Sequence, residues 1–280
     1  MTFIDTHCHL NFKAFTGGEA KIIKRAVDVG VSKFIIPGTD IPTSEKAIEI
    51  AQKNSEAYAV VGIHPHHIHN YSKSEFEPQL NRDIARLKDI LVDPKVLGIG
   101  EVGLDRHTYY ASKHGDGIEI TSEVFEMQKK LFLSQAELAK ESGKCLVVHN
   151  REAKDDLIDL INGNKHTFEG LRQRIVFHCC EAEAELLEIA QKYGFFIGVD
   201  GDVTYDKSKQ EFVKRIPIDM LLLETDAPYI LPEPLKSQKK YPNVPANIPV
   251  IAAFIANLLG ISLHEVEDHT TANAEKLFVI

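Results

Sequence analysis

The chain has 280 residues, 44% hydrophobic and 26% charged, with 17 Gly and 12 Pro. That composition excludes collagen-like, low-complexity and disordered chains. Lys and Arg number 32 against 41 Asp and Glu, a net charge of −9, which excludes a protein that grips nucleic acid mainly through a basic surface but not an enzyme whose positive charge comes from bound metal ions.

No apolar run approaches the roughly 20 residues that span a bilayer. Residues 1–10 lack the basic-then-apolar pattern of a secretory leader, so the reading is a cytoplasmic chain with no membrane partner. Cys8, Cys145, Cys179 and Cys180 show no C-x-x-C spacing, so neither a disulfide framework nor a zinc finger suggests itself.

In chain order, short apolar runs alternate with amphipathic segments. The run at 3–4 is followed by helical periodicity over 18–29, with Ile22, Ile23, Ala26 and Val27 on one stripe. Runs at 34–36 and 58–63 precede a helix opened by the capping box Ser72-x-x-Glu75 and continuing to Leu91. The run at 96–99 leads into a polar stretch, 107–120, read as a long loop. A helix over 121–142 follows, carrying Phe125, Leu131, Phe132, Leu138 and Ala139, with Gly143 as its stop. Runs at 145–148, 174–177, 195–199 and 220–223 alternate with helices over 181–193, 206–215 and 245–259, and Ser262-x-x-Glu265 caps a last one. The runs are near-continuously apolar, as strands buried on both faces of a parallel sheet require. Eight such strands alternating with helices predict an α/β fold, a (β/α)8 TIM barrel filling residues 1–280 as one domain. A doubly wound sheet is the competing fold, but no G-x-G-x-x-G follows the first strand.

In such a barrel, chemistry sits at the carboxyl ends of the strands. The first run leads to His7-Cys8-His9, the third to His64-Pro65-His66, the fourth through Gly100 into Glu101. The fifth leads to His149, the sixth to His178, and the eighth to Glu224-Thr225-Asp226. Residues two apart on a strand share a face, so His7 and His9 can reach one ion. Each candidate also has an ordinary reading. His7 or His9 could be structural, Glu101 a surface acid, His149 and His178 hydrogen-bonded core residues, and Asp226 a salt-bridge partner or helix N-cap. Together, four histidines and two acids at the same ends of separate strands favour one metal site. Imidazole nitrogen and carboxylate oxygen suit dinuclear Zn, Mn or Mg.

The motifs are Ile4-Asp5-Thr6-His7-Cys8-His9-Leu10, Gly62-Ile63-His64-Pro65-His66 and Gly98-Ile99-Gly100-Glu101-Val102-Gly103-Leu104-Asp105, followed by Val148-His149-Asn150-Arg151-Glu152-Ala153, Phe177-His178-Cys179 and Leu223-Glu224-Thr225-Asp226-Ala227-Pro228-Tyr229. With these, and with Thr270-Thr271-Ala272-Asn273-Ala274 through Phe278 near the end, the chain resembles the TatD family of metal-dependent hydrolases, part of the amidohydrolase superfamily, over nearly its whole length. The resemblance implies a barrel with two divalent metal ions (Zn, Mg or Mn). His7, His9, Glu101 and Asp226 would hold one, and Glu101, His149 and His178 the other, with Glu101 bridging. It also implies a deoxyribonuclease acting on DNA, on single strands or 3′ ends. Asp226 would double as the group that orients the attacking water or accepts its proton, which makes Asp226 and Glu101 the catalytic candidates. The chain departs from the family at His178-Cys179-Cys180-Glu181-Ala182, commonly His-Cys-Phe-Ser-Gly, and at Asn243-Val244-Pro245, usually Asn-Glu-Pro. The segment Gly198-Val199-Asp200-Gly201-Asp202-Val203-Thr204-Tyr205 carries two acids. These changes touch substrate-facing loops rather than ligands.

Two further residues are substrate-binding candidates. Arg151 would share a face with His149 and could grip phosphate bidentately, a salt bridge to Asp105 or Glu152 being the other reading. His64 is read as pocket-lining, and His66, His67 and His69 as solvated loop residues. Tyr109, Tyr110, Tyr205 and Tyr229 are read as packing rather than base-stacking groups, and Lys236, Lys239 and Lys240 as a solvated, mobile loop. The competing activity is hydrolysis of an amide, lactone or aminoacyl ester on the same metals, and a metal-holding scaffold is the non-enzymatic reading. No apolar stripe is left on the outer helices, so a monomer is expected.

Overall fold

The computed structural model describes residues 2–71, 73–108 and 119–280. Eight parallel strands form one sheet in sequential order: β1 (Phe3–Asp5), β2 (Val31–Pro37), β3 (Ala57–Val61), β4 (Val96–Asp105), β5 (Cys145–Arg151), β6 (Ile175–Phe177), β7 (Phe196–Val199) and β8 (Leu221–Leu223). The ring closes between β8 and the segment after β1. Thr6 N–H donates to Leu223 O at 3.1 Å, Asp226 N–H to His7 O at 2.9 Å and His9 N–H to Ala227 O at 2.8 Å. The (β/α)8 barrel read from the sequence is the observed fold.

The helices are α1 (Glu19–Asp28), α2 (Ile41–Lys53), α3 (Phe76–Ile90), α4 (Ser122–Ser142), α5 (Lys154–Gly163), α6 (Lys165–Gly170), α7 (Ala184–Tyr193), α8 (Lys207–Val213), α9 (Ile248–Leu259) and α10 (Leu263–Phe278). Two of the expected boundary signals hold. Gly143 ends α4 in the left-handed region at φ 64°, and the Ser262–Glu265 capping box opens α10. The capping box expected at Ser72 does not start α3. Ser72 lies outside the described residues, and the helix begins at Phe76 after a 3-10 turn, Lys73–Glu75. Tyr109 and Tyr110 and most of the expected 107–120 loop also lie outside the described residues. α2, α5 and α6 were not among the helices read from the sequence, although α2 buries Ala47, Ile48 and Ala51 and α5 buries Leu157 and Ile161 at helical spacing. α2 is fixed at its start by Asp40, whose carboxylate accepts from Thr43 N at 2.8 Å, a reciprocal cap made with Thr rather than Glu. Among the described residues, no single helix is long and apolar enough to cross a membrane.

The barrel interior is filled from one face of each strand. Ile4, Ile35, Val60, Val147, Val176, Phe196 and Leu222 pack together, and Leu277 and Phe278 of α10 plug the amino-terminal end. The two-residue strand period then decides what points into the carboxyl-terminal mouth. Val60 is followed in phase by His64, Val147 by His149, Val176 by His178, Phe196 by Asp200, and Leu222 by Asp226. Gly198 stands in phase where a Cβ would meet Glu224 Oε2 at 2.3 Å, so the carboxylate occupies the space a side chain would need.

Two buried glutamines one heptad apart on α4 fasten the ends of strands to that helix. Gln135 accepts from Ile63 N at 2.7 Å and donates to Ile63 O at 3.0 Å, and Gln128 accepts from Asp105 N at 2.9 Å. Replacing Gln135 by Leu orphans both polar groups of Ile63, next to His64. We expect a loss of about 1–3 kcal/mol in unfolding free energy, measured by urea denaturation. A change within the roughly 0.5 kcal/mol of an ordinary surface substitution would show that the fastening is dispensable.

Candidate functional site

β4 does not end at Ile99, as its apolar run suggests, but continues to Asp105. Its register with β5 breaks between Ile99 and Val102, and Glu101 N–H leaves the ladder to donate to Gly38 O, after β2, at 2.8 Å. Glu101 is therefore thrust into the mouth from inside a strand rather than from its end. It is 4% exposed, and its two oxygens face different partners. Oε2 lies 3.4 Å from His7 Nε2 and 3.5 Å from His9 Nε2. Oε1 lies 2.9 Å from His149 Nδ1, 3.2 Å from His178 Nε2 and 3.4 Å from His64 Nε2. Asp226 completes the first side, with Oδ1 3.3 Å from His9 Nε2 and 3.8 Å from His7 Nε2. All six residues expected to hold metal thus meet in one volume, and His64 joins them.

The outward nitrogens of two of these rings are also addressed. His149 Nε2 is 3.2 Å from Asp105 Oδ2, and His178 Nδ1 is 3.3 Å from Glu224 Oε1; the Glu224 carboxylate also accepts from Cys179 N. Beneath them Asp5 accepts from Thr225 Oγ1 at 2.6 Å and Thr225 N at 3.0 Å, locking the β8 end to β1. Asn243, kept where the family motif has it, donates to Thr225 O at 2.8 Å and Ile230 O at 3.1 Å, bracing the loop that carries Asp226.

The electrostatics follow from burial and proximity. Burial alone would raise the Glu101 carboxyl, but His64, His178 and His149 outweigh it and hold the group well below its usual range. Burial likewise opposes ionised Asp226, and His9, His178 and His7 outweigh it. His7 is lowered by burial and by neighbouring His178, and His64 falls to about 4 through burial and His149. His149 and His178 are instead raised against burial, by Asp105 and Glu101 and by Glu101 and Glu224, so a divalent ion, which requires neutral imidazoles and ionised carboxylates of its ligands, would displace a proton from each. His7 Nε2 and His9 Nε2 point at each other from 3.2 Å, so their lone pairs share one point, which a cation fits well. The donor chemistry fits two borderline divalent ions sharing Glu101.

Above the centre opens a cavity of about 820 Å³. Arg151 and His64 line it as expected, and so do His66 and His67, which the sequence reading had left in solvent. The reason is a 3-10 turn, Pro65–Asn70, that folds this segment back over the mouth, with His67 Nε2 3.3 Å from Thr39 Oγ1. Around Arg151, Glu152 pairs with His107 at 2.6 Å, while Glu181 accepts from Asn150 Nδ2 at 2.5 Å and Glu152 N at 2.9 Å. Glu181, a departure from the family motif, therefore ties the end of β5 to the loop after β6. Tyr229 lies edge-on to His9 and Phe12 at the rim. Lys236 is not simply solvated, because its ammonium sits over the Tyr205 ring. On the β7 side, Asp202 and Lys209 also line the cavity.

The site contacts that sequence reasoning missed are those of Asp105 with His149 and Glu224 with His178. Both acids were visible within motifs, but as an alternative partner for Arg151 and as a strand-end acid. The available signal was that each is an acid at the end of an apolar strand and needs a partner there; Asp105 stands in register with Arg151 on β5, yet its bond goes to His149.

The chain matches the family model described as TatD related DNase over residues 4–279. It is 31% identical over 278 residues to an uncharacterized metal-dependent hydrolase, YabD, of Bacillus subtilis, covering 99% of this chain and 98% of the relative. It is 30% identical over 279 residues to the 3′-5′ ssDNA/RNA exonuclease TatD of Erwinia tasmaniensis, covering 98% of each. The crystal structure of the TatD homolog YjjV from Escherichia coli superposes with a TM-score of 0.82 at 28% identity, covering 99% of this chain and 98% of that one.

Removing the acceptor behind a ligating histidine frees the ring to rotate and lowers its basicity. Asp105→Ala should therefore weaken divalent-ion uptake by about 10–100-fold, measured by competition with a chromophoric chelator on metal-stripped protein. Unchanged uptake would make the contact with His149 purely structural.

Proposed function

This chain belongs to the TatD related DNase family of metal-dependent hydrolases, and on that premise we propose that it is a deoxyribonuclease that shortens single-stranded DNA from its 3′ end. The observation that carries the reading is the division of Glu101, one oxygen facing His7 and His9 and the other facing His149 and His178. That arrangement suits a carboxylate shared by two ions. His7, His9, Glu101 and Asp226 would hold one, and Glu101, His149 and His178 the other, with Zn, Mg or Mn all compatible with the donors. When bound, such a pair supplies Lewis acidity toward a phosphoryl oxygen and lowers the pKa of water.

The chain's own residues supply the rest. Asp226, held ionised at the mouth, orients the attacking water and accepts its proton. Arg151 reaches the cavity with a planar fork that matches two phosphate oxygens. His64, neutral through burial, offers the substrate a hydrogen-bonding wall beside Glu101. A cavity of about 820 Å³ takes a terminal nucleotide and its linkage but not a duplex, which favours end-wise attack on a single strand. The nuclease name carried by the Erwinia relative agrees with this substrate class.

A second reading has one observation in its favour. The β7 side of the cavity presents Asp202 and Asp206, an acidic wall that a polyanion would avoid and that a neutral or cationic amide, lactone or aminoacyl ester would tolerate.

The two readings separate on a 3′-labelled single-stranded oligonucleotide offered to metal-stripped protein, with Mg, Mn or Zn restored one at a time. Metal-dependent shortening that falls by about 10²–10³-fold or more in Glu101→Ala is the expected result. Arg151→Ala should cut kcat/KM about tenfold or more, mainly through KM, since a charge-assisted contact contributes roughly 1.5–3 kcal/mol. Metal uptake without shortening, together with turnover of model esters, would move the substrate to the second class.

A further inference from the structure

A second cluster stands on the wall of the same cavity, outside the Glu101 centre. Cys179, Asp200 and Asp202 each present a ligand atom, all within 4.8 Å of one another. The strand period that delivers Phe196 and Gly198 inward also delivers Asp200, which is 0% exposed. One Asp200 oxygen accepts from Asp202 N at 2.8 Å. The other, Oδ2, has no hydrogen-bond partner, and Asp202 Oδ1 has none either. Cys179 follows His178 with φ 44°, a turn held by its N–H on Glu224, and its side chain lines the cavity together with Asp202. The neighbouring cation is Lys209, whose ammonium lies 3.2 Å from Asp202 Oδ2 and donates to Cys180 O.

We propose that Cys179, Asp200 and Asp202 hold a third divalent cation, of the zinc type, on the substrate-facing wall of the cavity. A thiolate sulfur with two carboxylate oxygens is a donor set that zinc accepts and that magnesium or calcium avoids. Three protein ligands leave a coordination position open toward the cavity, the arrangement of a site that takes an exogenous group. Metal binding would release the Cys179 proton, which burial holds on the sulfur, and one divalent ion would then balance one thiolate and two carboxylates against Lys209. Unpartnered oxygens on the fully buried Asp200 and on the partly buried Asp202 two residues on are what such a site looks like before the ion arrives. The ion would turn an acidic wall into an anchor for an anionic group of the substrate, a phosphate or carboxylate away from the scissile bond. This site goes beyond the proposed deoxyribonuclease reading and draws on none of the Glu101 ligands.

The test is optical and uses no substrate, so its outcome is independent of whether DNA is cut. Metal-stripped full-length protein is titrated with cobalt(II), and bound metal and absorption are read together. The Glu101 centre offers only nitrogen and oxygen, so a thiolate-to-cobalt charge-transfer band reports the second cluster alone. The expected result is such a band, lost in Cys179→Ser and kept in Cys180→Ser. One cobalt fewer per chain should bind to the Asp200→Asn/Asp202→Asn double variant than to the unmodified protein. No band at saturating cobalt, a band that survives Cys179→Ser, or equal cobalt content in the unmodified protein and a folded double variant would overturn the proposal. If the double variant does not fold, the Cys179→Ser spectrum decides alone.

Discussion

Five imidazoles converge on one buried carboxylate, His7 and His9 on one oxygen of Glu101 and His64, His149 and His178 on the other. A carboxylate at 4% exposure would be costly to bury unpaired. The neighbours that keep it ionised must therefore be delivered from several directions at once. No single helix or hairpin can do that. A closed ring of parallel strands can, because every strand ends at the same mouth with an inward-facing position in phase. The requirement falls hardest on β4, which has to release Glu101 from its ladder. The register break at residues 99–102 and the bond from Glu101 N to Gly38 O show how the backbone does so without losing that hydrogen bond.

Closure of the barrel and assembly of the site are the same event. The bonds that join β8 to the segment after β1 run through His7, His9, Asp226 and Ala227, so the residues that complete the ring carry three of the converging donors. Asp5, clamped by Thr225, and Asn243, clamped under Thr225 and Ile230, brace this seam from below and beside. α4 holds the opposite side through Gln128 and Gln135. At the amino-terminal end the interior is apolar and plugged by Leu277 and Phe278. Fold stability is thus concentrated away from the mouth, and the buried charge is left where an ion or a substrate can reach it.

Much of this was legible in the sequence because the signal was periodic. Apolar runs in phase with a following histidine or acid fixed both the strands and the inward face, which is why His149, His178 and Asp226 could be placed from spacing. Where the backbone leaves the period, the reading failed in detail. The β4 run at 96–99 gave no hint that the strand continues to Asp105 or that Glu101 sits on a break within it. His66 and His67 followed the same pattern, since a 3-10 turn that folds back over the mouth has no apolar signature. Helix α2 went unread although Ala47, Ile48 and Ala51 lie on one stripe, and its start is marked by Asp40 and Thr43 instead of the usual Ser/Thr-x-x-Glu box. Asp105 and Glu224 were hidden for another reason. Their partners, His149 on the neighbouring β5 and His178 after β6, lie far off in the sequence, so the adjacent residues do not name them.

A chain of net charge −9 and the polyanionic substrate proposed for it would be reconciled only locally. At physiological ionic strength charges are screened over about 8 Å, so a phosphate inside the cavity feels the groups that line it and not the acidic surface elsewhere. Those groups are unevenly arranged. Arg151 stands over the β5 end, where the nearby acids Glu152 and Glu181 are engaged by His107, Asn150 and a backbone N–H. The β7 side carries Asp202 and Asp206, with Lys209 drawn inward against Asp202 and Cys180. A phosphate is therefore pulled toward Arg151 and pushed from β7. The sign of the β7 wall then decides how much of a chain can enter. As an acidic wall it admits one phosphate at a time, next to Arg151. As a cation-bearing wall it would seat a second anionic group across the cavity and hold the strand at two points while the bond between them is cut.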